Sequence, residues 1–257
     1  MVTDKKTTIA YKFWYHVVKA VFPKYKTEGA ENIPDEPCLM VANHTQMYGP
    51  IASELYTPGA HYIWCAGEMM NKEEVAEYAF NDFWSFKPKW QQPFFRLAAK
   101  LIVPLAVCIF NGAHCIAVYH DHRLYGAFRE TAQLVNEGWS VVIFPEHNVK
   151  YNNILYDFQE GFVDSALFIW KKTGKKVCFV PEYICPAKNT LYYGKPIRFD
   201  PENPLKEERA RIKKYLMDEI TRMASELPEH TVVPYRNIKK SLYPKNRPVE
   251  VYKSEDI

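Results

Sequence analysis

The residues best suited to move a proton lie in two short stretches. In the first, Asn43-His44-Thr45-Gln46-Met47-Tyr48-Gly49-Pro50 follows the apolar run Leu39-Met40-Val41-Ala42. In the second, Phe144-Pro145-Glu146-His147-Asn148-Val149-Lys150 follows Val141-Val142-Ile143. A histidine just beyond a strand is well placed to act as a general base, since an imidazole pKa near 6.5 suits proton transfer at neutral pH. Such a base ordinarily has a carboxylate to hold its tautomer, and residues 45 to 50 contain no acid. Glu146 is the foremost candidate partner, with Glu54, Asp121 and Tyr48 as alternatives. On this stretch alone His44 is equally explained as a satisfied histidine closing a strand.

The elements that must carry these residues alternate between strands and helices. Short apolar runs around Leu39, Tyr62, Ile116, Val142 and Val180 read as buried strands. Helices are expected through Pro50–Tyr56, Lys72–Phe80, Leu124–Gly138, Glu160–Gly174 and Leu205–Leu227, the fourth and fifth separated by two further strands. Gly138 supplies a stop signal. This alternation predicts an α/β fold with a mostly parallel central sheet and helices on both faces. His44 and Glu146 each directly follow a predicted strand, and ligands in such sheets bind outside the carboxyl ends of strands. Three segments are expected: an amphipathic basic helix over 1–30, the α/β domain over 31–200, and an amphipathic helix with a basic, proline-punctuated strap over 201–257.

Composition bounds the function. Of 257 residues, 47% are hydrophobic and 25% charged, ordinary for a globular chain. The formal charge of +3 is too small to argue for nucleic acid. Six cysteines form no C-x-x-C pair and the first residues do not resemble a signal peptide, so free thiols in a reducing cytosol are expected. The stretch 94–110 is apolar but broken by Arg96, Lys100 and Pro104, too short and too charged to span a bilayer. It reads either as a buried helix or as one lying in a lipid interface. Ile9, Phe13, Val17 and Val21 form a helical stripe among lysines that include Lys5 and Lys6. With the aromatic stretch Phe83–Phe95, notably Trp84, Phe86 and Trp90, that helix is the expected docking surface for an anionic membrane, packing onto the host domain being the simpler alternative.

The order of these pieces resembles the glycerolipid acyltransferases typified by 1-acylglycerol-3-phosphate acyltransferase, over roughly residues 35 to 200. That family has N-H-x-x-x-x-D after a strand; here Asn43 and His44 are present and Gly49 replaces the aspartate. Its second block, a glycine, an apolar strand and an arginine, corresponds to Gly112 and the following strand, with His120 or Arg123 at the arginine. Its third, F-P-E-G-T-R-S with a later phenylalanine and glycine, corresponds to Phe144, Pro145 and Glu146, then His147, Asn148 and Val149 in altered positions, with Phe158 and Gly161 downstream. Its fourth, an apolar strand ending in proline, corresponds to Val180-Pro181.

The resemblance implies acyl transfer from acyl-coenzyme A or acyl-carrier protein, as co-substrate rather than cofactor, to the hydroxyl of a lysophospholipid or similar acceptor. It implies His44 as base, for which Glu146 is the expected carboxylate in place of the family's aspartate, and Asn43, Arg123, Phe144, Pro145, His147 and Lys150 about the substrate. It also implies a peripheral place on the cytoplasmic face of the membrane. The other reading is a catalytically degenerate lipid- or acyl-chain-binding protein of the same fold. A zinc site at His120 and His122 in Tyr119-His120-Asp121-His122-Arg123 is disfavoured, because no C-x-x-C or H-E-x-x-H accompanies it, and no metal is expected.

Overall fold

The computed structural model describes residues 8–249 apart from 86 and 151. Lys5, Lys6, Phe86 and the end of the basic tail therefore lie outside the described residues. The elements, numbered along the chain, begin with α1 (Ile9–Val21), β1 (Lys26–Glu28), β2 (Leu39–Ala42), α2 (Tyr48–Tyr56), β3 (His61–Ala66), α3 (Val75–Phe83), α4 (Gln92–Leu101) and α5 (Val103–Gly112). They continue with β4 (Cys115–Val118), α6 (Leu124–Asn136), β5 (Ser140–Ile143), β6 (Glu146–Lys150), β7 (Tyr156–Phe158), α7 (Asp164–Thr173), β8 (Cys178–Cys185), β9 (Thr190–Tyr193), β10 (Ile197–Arg198) and α8 (Leu205–Glu226).

The chain divides into two compact units, one formed by the stretches up to Phe22 and from Tyr62 to Ala127, the other by Pro23 to His61 and from Phe128 onward. This division does not follow the three consecutive segments read from the sequence.

The second unit holds the strand order β1-β9-β8-β2-β5, with β10 on β8. β2 lies parallel to both β5 and β8, with Met40 opposite Val142 and Val180. Every residue of β2 and β8 is buried, as expected where both faces of a parallel strand are covered. β9 returns antiparallel to β8, through Tyr183 opposite Tyr192. The sheet is thus mostly parallel, as the alternating pattern predicts. Ile212, Leu216, Ile220 and Ala224 form the buried stripe of α8, spaced at four residues so that they share one helical face. β6 and β7 form a separate antiparallel hairpin. Asn152 turns this hairpin: its Oδ1 accepts from the backbone N–H of Ile154 and Leu155, both at 2.8 Å.

In the first unit β3 and β4 pair in parallel, Ile63 opposite Cys115. Met69, Val75, Ala79 and Ala106 build a core shared by α3 and α5. The apolar stretch 94–110 is two helices bent by 47°, because Pro104 near the start of α5 lacks the N–H needed to continue α4. α5 contributes to the core, while Phe94, Leu97 and Leu101 on α4 are exposed. No single helix among the described residues is long and apolar enough to cross a membrane; the bent pair α4–α5 passes on length and composition only. On α1, Tyr11 packs with Ala113 and Cys115, whereas Ile9, Phe13, Val17 and Val21 face outward. Trp90 is also exposed, and Trp84 stacks on Phe95 at 5.6 Å between ring centroids.

Candidate functional site

The turn after β2 presents His44. Asn43 is 2% exposed and spends both ends of its amide on one residue of β8: Nδ2 donates to the Ile184 carbonyl at 3.0 Å, and Oδ1 accepts from the Ile184 N–H at 2.7 Å. It therefore anchors the turn, a correction to its expected place about the substrate. Thr45 and Gln46 follow with φ of +47° and +54°, the left-handed region that costs non-glycine residues about 1 kcal/mol or more each. These two residues swing the chain back so sharply that Gly49 comes to rest against the His44 carbonyl. A Cβ at position 49 would stand 2.2 Å from that oxygen and 2.9 Å from its carbon. An aspartate side chain does not fit on this backbone. The glycine belongs to a different turn, and the turn is held by Gln46, whose Nε2 donates to the Arg236 carbonyl and lies 3.0 Å from the Tyr243 hydroxyl.

Parallel pairing of β2 with β5 sets Val41 opposite Ile143, so the residues following both strands emerge at one edge. Glu146, only 6% exposed, uses both carboxylate oxygens on backbone: Oε2 accepts from the His44 N–H and Oε1 from the Tyr156 N–H, each at 2.8 Å. Burial pushes its pKa up to about 7 against the opposing pull of these two donors. The expected contact with the imidazole is not made. Glu146 fixes the main chain that carries His44, because two main-chain donors with no other outlet meet its carboxylate first.

The ring of His44 is held by aromatics. Phe144 lies edge-on at 5.2 Å between centroids and Tyr235 at 5.5 Å, with interplanar angles of 62° and 83°. Nδ1 is buried without a hydrogen-bond partner among the described residues. Burial drives the pKa of His44 down to about 4, with a smaller upward pull from backbone groups of Gln46 and His44. The residue as a whole is partly exposed, so it is the Nδ1 edge that is sealed. The imidazole is neutral at neutral pH and can accept a proton, but no carboxylate among the described residues bonds to the ring to stabilise the cation formed.

The remaining candidates fall in different places. His147 Nε2 lies 3.2 Å from Asp157 Oδ2 across the β6–β7 hairpin, and Lys213 of α8 is 2.8 Å from the other oxygen of Asp157. Pro145 is buried, and Lys150 is exposed at the end of β6. Arg123, in the first unit, is bound by Asp121 and Glu74 and lies over the Tyr119 ring at 3.5 Å from its centroid. Its guanidinium fork is thus engaged with two carboxylates, which departs from its expected role on substrate phosphate. His120 and His122 stand exposed beyond β4, and no group of three metal-ligating side chains occurs among the described residues. Sequence reasoning missed Tyr235, Asp157 and Lys213. The Asn152-Asn153 pair is a turn signal that would have placed Asp157 opposite His147; nothing local marks Tyr235.

No family model matches the chain, and no curated protein matches it. Among solved structures it is similar to the crystal structure of the 1-acyl-sn-glycerophosphate (LPA) acyltransferase PlsC from Thermotoga maritima, at 19% identity. The match covers 85% of this chain and 78% of that one, with a TM-score of 0.44.

Proposed function

We propose that this chain is an acyltransferase that moves a fatty acyl group from an acyl thioester to the hydroxyl of a lysophospholipid or similar glycerolipid, with His44 as the proton acceptor. The observation that carries this reading is the meeting of Asn43-His44 with Phe144-Pro145-Glu146 at the carboxyl ends of two paired parallel strands, tied by the 2.8 Å bond from the His44 N–H to Glu146. A neutral imidazole takes the hydroxyl proton as the oxygen attacks the thioester carbonyl; the C–S bond then breaks, and the imidazolium returns that proton to the departing thiolate of coenzyme A or acyl-carrier protein. The protein supplies no resident cofactor in this scheme. Loss of an orienting aspartate in a serine protease costs roughly 10⁴ in turnover, about 5 kcal/mol. A slow reaction is therefore expected.

His147 and Lys150 on the β6–β7 hairpin, within the altered third block, are the candidate contacts for an anionic head group, Lys150 through its ammonium and His147 through its ring. Membrane attachment is peripheral, at the cytoplasmic face. Two exposed apolar stripes support it: Ile9, Phe13, Val17 and Val21 on α1, and Phe94, Leu97 and Leu101 on α4, continued by Trp90 just before it. Neither helix contains an acidic residue, while Lys12, Lys19, Arg96 and Lys100 lie within them; this combination suits an anionic bilayer.

The sealed, unpartnered Nδ1 favours a second reading, a lipid- or acyl-chain-binding protein without turnover. Release of free thiol from acyl-coenzyme A in the presence of a lysolipid panel separates the two: turnover that falls in His44→Ala supports transfer, and acyl-coenzyme A binding without thiol release supports the binding protein.

A further inference from the structure

We propose that Tyr235 is a positioning residue for His44, clamping the imidazole against Phe144 and so taking over the orienting work that a carboxylate performs in a histidine–aspartate pair. The proposal rests on the reading of His44 as proton acceptor. Position 49 has no room for a side chain, Glu146 is occupied with backbone N–H groups, and the ring's Nδ1 forms no hydrogen bond among the described residues. The side chains that pack on the ring are aromatic. The centroids of Phe144 and Tyr235 lie 5.2 and 5.5 Å from that of the imidazole, and Tyr156 supports Tyr235 at 5.7 Å between centroids.

Tyr235 is itself held in place. The next residue offers its carbonyl to Gln46, and Tyr243 also bonds to Gln46, so the segment bearing the clamp is fastened to the same left-handed turn that presents His44. Two rings packed against the imidazole restrict χ2 of the histidine, and a proton acceptor must be held near its productive geometry for transfer to be efficient. Among the described residues Glu146 bonds to the main chain of His44, Tyr156 packs on Tyr235, and the charge of Arg236 acts on Tyr156.

Tyr235→Phe and Tyr235→Ala, in the full chain, test this through two readouts: steady-state thiol release from acyl-coenzyme A, and the NMR titration of the His44 imidazole, assigned with His44→Ala. Tyr235→Ala is expected to lower kcat about 10- to 100-fold with little change in KM, and to move the His44 titration up toward 6.5 as the ring is exposed. Tyr235→Phe should stay within about twofold of wild type on both counts, because the ring and not its hydroxyl forms the clamp. An unmoved His44 titration in Tyr235→Ala overturns the proposal, as does a Tyr235→Phe variant as impaired as Tyr235→Ala. Should Tyr235→Ala fail to fold, Tyr235→Leu removes the ring while filling part of its space and is expected to move both readouts in the same direction by a smaller amount; no movement in either overturns the proposal. If the wild-type protein shows no turnover, the function fails while the titration still decides the clamp.

Discussion

Replacing Gly49 with aspartate restores the motif in sequence, and it should harm the protein. The new Cβ would sit 2.2 Å from the His44 carbonyl oxygen and 2.9 Å from its carbon, more than 1 Å inside ordinary van der Waals contact for the closer pair. The obstacle is backbone, fixed by the left-handed Thr45 and Gln46 and by the Glu146 bond to the His44 N–H, so it cannot swing aside as a side chain would. Overpacking in a well-packed region costs about 1–3 kcal/mol, and opening this turn also loosens a charge-assisted hydrogen bond worth about 1.5–3 kcal/mol. A destabilisation of about 2.5–6 kcal/mol follows for Gly49→Asp, and nearly as much for Gly49→Ala, which adds only the clashing atom. Urea unfolding read by circular dichroism, with the midpoint compared at constant m, measures it. Activity should not rise. If Gly49→Asp keeps the wild-type midpoint and accelerates thiol release, the turn is not committed to glycine and the missing aspartate is a simple loss.

Other consequences can be checked in the same preparations. Glu182 is fully buried, its Oε1 accepting from the Tyr193 hydroxyl at 3.0 Å and its Oε2 without a partner among the described residues; burial raises its pKa from 4.5 to about 8. The folded state then binds the proton that the unfolded chain releases, so stability falls as pH rises from 4.5 through 8, by about 5 kcal/mol in all, and Glu182→Gln should flatten that limb in urea titrations across pH. His44 works in the opposite sense: with its pKa lowered from 6.5 to about 4, stability falls as pH drops through that window, by at most about 3 kcal/mol, and His44→Phe should remove this contribution. Flotation with anionic vesicles at low salt should carry the protein up, and Phe13→Glu combined with Leu97→Glu should leave it at the bottom; equal flotation of both proteins would refute docking through the two exposed stripes.

The parallel sheet was legible because the buried strands are short, unbroken apolar runs, and because a run ending in Asn43-His44 and one ending in Phe144-Pro145-Glu146 are natural neighbours in a strand–helix alternation. The proximity of His44 and Glu146 followed from that pattern. The atoms they share did not, since a main-chain N–H leaves no signature in sequence, and it is the His44 N–H that captures the carboxylate. Contacts made by the tail were hidden for a different reason: Gln46 and Arg236 are separated by 190 positions, and the residues around Tyr235 have neither helical nor strand periodicity to place them. Gly49 read as a missing acid because the sequence does not display the left-handed turn of Thr45 and Gln46 that makes a side chain there impossible. Likewise, α4 looks continuous with α5 until Pro104 is weighed as a break, and the apolar residues present in both halves do not show which one turns its apolar face outward.

His44 as the proton acceptor in acyl transfer stands or falls on thiol release from acyl-coenzyme A across a panel of lysolipids, with wild type and His44→Ala assayed at neutral pH alongside folded-state controls. Turnover that is slow but measurable in wild type and reduced about 10²-fold or more in His44→Ala is the predicted result. Equal rates in the two proteins, with both folded, would contradict it.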